Sequence, residues 1–249
     1  MYQFEWSVIP PIIPLLLKGF ELTLQLAVMS IAIATVLAVP LALARMSSLD
    51  PLRWLAQMYI EIFRGTPMLV QLVWVYYALP AVLGIQLNPI VAVTGALAAN
   101  LTAFMSEAYR AALQSVPKEH IEAGEVLGLS KFDILRFITI PQAVRQQIPV
   151  ILSLDISLFK DTALVSWLGV SDLMFTANIQ ASQTFRPMEI FTFTALMYFA
   201  VAFPLTLVAS YLERRLIAKQ SGQPTGTGGP SMRATIARIA PGNLLLGKW

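Results

Sequence analysis

The chain has 249 residues, 57% of them hydrophobic and 12% charged, with a mean hydropathy of +0.68. A soluble domain of this length carries roughly a quarter charged residues, so the composition excludes one and describes an integral membrane protein. The formal charge of +3 is too small to suggest a nucleic-acid partner, and the absence of cysteine excludes disulfides, thiol chemistry and cysteine metal sites.

Residues 1–18 read as an extracytoplasmic, interfacial lead-in. Met1 to Leu17 holds Glu5, Trp6 and three prolines but no Lys or Arg, so the basic flank of a cleaved leader is missing. Apolar runs long enough to cross lipid, about 20 residues each, follow at Phe20–Ala44, Trp54–Leu83, Pro89–Leu113, Gln146–Leu168 and Ile190–Leu212. The second exceeds a single span and is expected to break at Gly65-Thr66-Pro67, because proline removes a helix hydrogen bond. The fourth is interrupted by Asp155, Lys160 and Asp161.

Five spans put the termini on opposite sides. One side then collects Arg45, Arg53, Arg110, Lys118, Lys131, Arg136, Arg145, Arg214, Arg215 and Lys219, and the other only Lys18 and Arg186. The basic side is cytoplasmic, so the N-terminus faces out and the C-terminus faces in. The expected organisation is a transmembrane domain over residues 19–217, with a cytoplasmic loop at 114–145, and a flexible cytoplasmic tail at 218–249. Ser221–Pro230 in that tail has a linker's composition.

The loop is a polar island between apolar runs and cannot sit in lipid. Pro117 opens a helix whose first turn, Lys118-Glu119-His120-Ile121-Glu122, is acidic. Gly124 and Gly128, four apart, fall on one face and offer a groove to a close-packed neighbour. Leu129-Ser130 ends that helix, and Lys131–Ile140 forms a second one that stops at Pro141. By composition alone, an ordinary solvated loop stands beside this reading.

The pattern Glu122-Ala123, four residues, Gly128, nine residues, then Ile138-x-Ile140-Pro141 resembles the signature loop of ABC importer permeases. Gly124 stands where that family usually has a second alanine, and Ile140 where it has leucine. Tyr59–Pro67 with Gln71, Glu107-x-x-Arg110 before Gln114–Lys118, Lys160–Val165, and Tyr211–Arg215 are similar to the polar amino-acid uptake branch. The resemblance runs from about Gly19 to Leu216.

It implies an all-α, type I importer permease of the bacterial inner membrane, with Glu122, Ala123, Gly124, Gly128, Leu129 and Pro141 coupling it to an ATPase. The implied partners are a dimer of ATP-binding cassette ATPases, a second permease subunit, the lipid membrane and an extracytoplasmic amino-acid-binding protein. ATP and Mg are then expected on the partner ATPase, and no cofactor on this chain.

Ionisable or polar groups at membrane depth line cavities or pair with one another. Asp155 is a candidate partner for a substrate ammonium, with a carboxylate bonded to a neighbouring helix as the alternative. In the family the polar position falls near Ser153 or Leu154. Asn100 and Thr102, set among small residues, either glue helices or meet the ligand. Lys160 and Asp161 lock helix packing or act at a gate. Arg64 caps the broken backbone or meets a substrate carboxylate, Glu107 and Arg110 pair, and His120 is solvated.

The chain lacks a Gly-x-x-x-x-Gly-Lys-Ser/Thr phosphate loop, so it borrows its ATPase. It also lacks a His pair, a Gly-x-Ser-x-Gly or a metal-ligand cluster, which argues against an enzyme. A self-powered secondary carrier is the alternative, although no inverted repeat is visible.

Overall fold

A helix closes its own backbone hydrogen bonds within one segment, as a lipid environment demands. The computed structural model, which describes residues 3–220, is built from helices and no strands among the described residues. A 3-10 turn at Trp6–Val8 leads into α1 (Ile9–Arg45). Then come α2 (Asp50–Gly65), α3 (Met68–Leu83), α4 (Pro89–Gln114) and the short α5 (Lys118–Val126). Helix α6 covers residues 131–161, a 3-10 stretch follows at Thr162–Leu168, and α7 (Leu173–Thr184) and α8 (Pro187–Gln220) complete the order. The chain up to Glu213 forms one unit, and a second begins at Arg214.

Local chemistry sets the starts. Asn88 accepts a hydrogen bond from the Ile90 N–H at 2.9 Å, and Pro89 fills the first helical position of α4. Ser130 caps α6 and Asp172 caps α7 in the same manner. Three stretches are long and apolar enough alone to cross a membrane, Trp6–Arg45, Pro89–Gln114 and Pro187–Leu216. The pair α2 and α3 passes the same test together, bent by 110° at its break.

Several expectations are corrected. The first helix begins at Ile9, inside the expected lead-in, because Pro10 and Pro11 lie in its first turn, where no N–H partner is needed. The second helix of the loop does not stop at Pro141 but runs on to Asp161. It tolerates the proline through a π-helical turn at Ile134–Thr139, whose wider ring takes up the crowded carbonyl one turn back. The same device precedes Pro80, with a π-turn at Trp74–Ala78. The fourth expected span is α-helical only to Asp161 and tightens into 3-10 geometry over Thr162–Leu168. Helix α7 was not anticipated. The linker expected at Ser221–Pro230 and the rest of the tail beyond Gln220 lie outside the described residues.

The main core packs α1 against α4 through small side chains. Ala34, Ala38 and Ala42 on α1, and Ala92, Ala96 and Ala103 on α4, are buried and let the backbones approach. Leu26, Leu72, Leu97, Met105, Leu158 and Val165 fill the centre. A second cluster joins the start of α1 to α7 and α8 through Leu16, Leu173 and Ile190. At that end Arg186 donates to the Glu5 carboxylate at 2.7 Å and to the Gln3 carbonyl at 3.1 Å. The Glu5 N–H donates to Glu189 at 2.8 Å, and Glu189 is fully buried.

Candidate functional site

Two regions carry the residues singled out in the sequence. The first is the loop around α5. Gly124 is buried, and a Cβ there would lie 2.9 Å from Ile138 Cδ1 and 3.0 Å from Ile134 Cγ1. Gly124 is thus the point where α5 seats on the π-turn of α6. Gly128 does not share that face. It lies beyond the helix end with φ +76° and open space around it. The Gly128 N–H donates to Glu125 O at 3.0 Å and the Leu129 N–H to Gly124 O at 3.1 Å, which is a Schellman end that needs a left-handed residue. The expected two-glycine groove is therefore one glycine for packing and one for the turn.

Seated this way, α5 turns its other side outward. Val126 is 88% exposed, Leu127 78% and Phe132 66%, and Glu122, Ala123, Leu129 and Pro141 are exposed beside them. An apolar patch held off the lipid-spanning helices and rimmed by charge marks a partner surface. His120 is exposed and meets Gln142 at 2.9 Å. At the neighbouring helix ends, Arg110 donates to Glu107 at 2.7 Å and Arg45 lies 3.7 Å from the same carboxylate. The expected Glu107–Arg110 pair thus also fastens the end of α1.

The second region lies at mid-span. Asn100, near the middle of α4, donates to the Phe63 carbonyl at 3.0 Å and to Gln71 Oε1 at 2.9 Å. Gln71 Nε2 in turn donates to Phe63 O at 2.8 Å, Thr66 O at 2.9 Å and Thr66 Oγ1 at 2.7 Å. Two amides therefore satisfy the carbonyls freed where α2 breaks from α3. That was the work expected of Arg64. Its guanidinium instead sits over the Phe104 ring, 5.4 Å from the centroid.

Beside this network is a cavity of about 100 Å³ lined by Asn100, Leu101, Phe104, Leu154, Ser157, Leu158 and Asp161. The fold brings Asn100 and Asp161 together there. Thr102 is elsewhere, buried and donating to Ala98 O at 2.7 Å. Ser153, next to the lining Leu154, donates to Pro149 O at 2.9 Å and is not itself part of the lining. Asp155 does not line the cavity. It points about 160° around α6 from Ser157, lies within electrostatic reach of Tyr109, and has one buried oxygen without a hydrogen-bond partner among the described residues. Among the described residues neither Lys160 nor Asp161 closes an ion pair. Gln71 entered the sequence reading only as part of the Tyr59–Pro67 resemblance and Phe104 not at all, and their placement shows what each touches.

Comparison with known proteins places this arrangement. Residues 30–218 match the family described as binding-protein-dependent transport system inner membrane component. A glutamate/aspartate import permease of Escherichia coli is 34% identical over 222 residues, covering 86% of this chain and 99% of that protein. An L-cystine transport system permease of Bacillus subtilis is 38% identical over 204 residues, covering 82% and 87%. The crystal structure of an amino acid ABC transporter with histidines contains a chain that superposes with a TM-score of 0.81 at 32% identity, covering 86% of this chain and all 100% of that one.

Proposed function

The chain belongs to the family of binding-protein-dependent transport system inner membrane components, and we propose that within it the protein is the permease subunit of an ATP-driven importer for polar amino acids. It is a multi-pass inner-membrane protein and a transport subunit, not an enzyme. The family works with a separate ATPase and a binding protein. The finer assembly is part of the proposal: two ATPases beneath, a second permease of the same or a sister sequence alongside, and an extracytoplasmic amino-acid-binding protein above. ATP and Mg are held by the ATPase, and this chain binds no cofactor. The proposed orientation, from the asymmetry of basic residues, has five spans with α5 on the cytoplasmic side.

The observation that carries the reading is the mounting of α5. A short helix pinned at Gly124 against α6, with Val126 and Leu127 left exposed, transmits the push of a docked partner into a helix that continues without interruption to Asp161. Asp161 lines the cavity with Asn100, so one rigid element joins the docking surface to the proposed substrate contact. A carboxylate there suits a substrate ammonium, and the Asn100 carbonyl adds a second acceptor. Ser153 and Asp155 line the same helix nearer the docking end.

Reconstitution with the cognate ATPase and binding protein tests this. Uptake of a polar amino acid should require ATP, and Leu127→Asp should abolish substrate-stimulated hydrolysis while the membrane bundle stays folded. Asp161→Asn should depress uptake more than Asp155→Asn. Uptake that follows an ion gradient with no ATPase present would overturn the reading in favour of a secondary carrier.

A further inference from the structure

Asp50, Arg53, Gln57, Glu61 and Arg64 recur on α2 at intervals of three and four, so they fall within about 80° of one another around the helix. All five are exposed. The buried side of α2 is Ala56 and Ile60. A third face, Trp54, Met58 and Ile62, is apolar and also exposed, at 62%, 46% and 50%. That face suits lipid. The charged stripe does not, because ionisable groups at membrane depth are stable only against water or protein.

The stripe leads somewhere. It starts just after the end of α1, where Arg45 reaches Glu107 on α4. It finishes at Arg64, over Phe104. Phe104 is one turn closer than Asn100 to the end of α4 that runs on toward α5, and its ring lines the cavity. Leu154 faces it from α6, again on the α5 side of Asp161. Phe104 and Leu154 thus form the apolar floor of the cavity on its α5 side, and the stripe meets that floor where Arg64 sits over the Phe104 ring. The cavity's 100 Å³ is small beside the ~300–1,000 Å³ of ordinary ligand pockets, so an amino acid held there needs part of the lining, such as that floor, to move.

We propose that Phe104, held by Arg64, is the gate between the Asn100–Asp161 cavity and a water-lined route that follows Gln57, Glu61 and Arg64 to the α5 end of the bundle. A guanidinium over a ring is attracted to its face but makes no directional bond. The ring can therefore swing aside while Arg64 stays in the wet stripe. The mixed signs of Glu61 and Arg64 suit a zwitterion, which is repelled by neither end of such a wall. This assignment rests on the transport reading above.

Single cysteines are clean reporters in a chain that has none. In the assembled complex in inside-out vesicles, a membrane-impermeant thiol reagent is expected to label Gln57→Cys and Glu61→Cys roughly tenfold faster than Met58→Cys and Ile62→Cys, since a thiol facing lipid ionises less. Ser157→Cys should react slowly in the otherwise native chain. Phe104→Ala should speed that reaction by roughly tenfold, and Arg64→Gln, which frees the ring without removing it, should speed it in the same direction. Co-elution with the ATPase checks assembly, and Phe104→Leu replaces Phe104→Ala should the latter not assemble. Unchanged Ser157→Cys labelling in both the Phe104 and Arg64 variants would sink the gate, as would a stripe that labels no faster than the apolar face. Labelling needs no substrate, so a wrong substrate class leaves this result intact. Conversely, a complex that transports but fails these labelling tests refutes the gate alone.

Discussion

Asp172 has no part in transport in the reading above, yet its setting dictates a measurable property. It lies between the expected fourth and fifth spans, is fully buried, and caps α7 by accepting from the Phe175 N–H at 2.8 Å. Its other oxygen meets no donor among the described residues. Burial pushes its carboxyl up to about 6. The folded value thus lies above the unfolded one, about 3.9, so the fold favours the neutral acid. The stability this contributes is complete below about pH 4 and is lost as pH rises through about 6. Purified protein should accordingly melt lower at pH 7 than at pH 5, with Asp172 accounting for about 1 kcal/mol of the difference, since only the step from pH 5 to about 6 falls inside that window. Asp172→Asn keeps the capping oxygen and should flatten the slope. An equal slope in both proteins would show that another group is responsible. At this scale the sequence is legible where a cap or glycine acts locally, as Gly124 does in seating α5. It is not legible where a neutral side chain acquires its role from a neighbour, as Phe104 does beneath Arg64.

At the scale of elements, the break between α2 and α3 is the most exacting local structure in the chain. Its carbonyls lie at mid-span, where helix hydrogen bonds are interrupted, and Gln71 donates to two of them, Phe63 O and Thr66 O, and to the Thr66 hydroxyl. Gln71→Ala should cost about 1–3 kcal/mol, since Asn100 still serves the Phe63 carbonyl while that of Thr66 loses its donor. Thermal melting in detergent reads this directly. A native-like melting temperature would mean that the break is held by other contacts. The break was readable from Gly65-Thr66-Pro67, because proline chemistry is local. The continuity of α6 through Pro141 was not, because the compensating π-turn depends on α5 packing across Ile134 and Ile138. Helix α7 was missed for a related reason: it has a cap at Asp172, but its 12 residues are too few to show a clear apolar period.

For the whole molecule, the five-span reading and its orientation can be tested without perturbing the bundle. Ser130 is exposed at the start of α6, beside the docking patch. Ser130→Cys should resist an impermeant reagent added outside intact cells and react once the membrane is opened. Labelling from outside would invert the topology and remove the ATPase reading with it. The long apolar helices at Trp6–Arg45, Pro89–Gln114 and Pro187–Leu216 were legible because hydropathy acts over whole segments. How the spans pack was not, because small residues such as Ala34 and Ala96 permit close approach without naming the partner.

The clasp between Glu5, Arg186 and Glu189 sets a timetable for biosynthesis. The Glu5 amide and the Glu189 carboxylate that accepts from it are 184 positions apart. A ribosome adding about 5–20 residues per second needs roughly 10–40 s to make what lies between them. For that interval the segment around Glu5 is already made while its anchor does not yet exist. The clasp that fastens the start of α1 to the start of α8 can therefore close only after every span between Glu5 and Glu189 has been made.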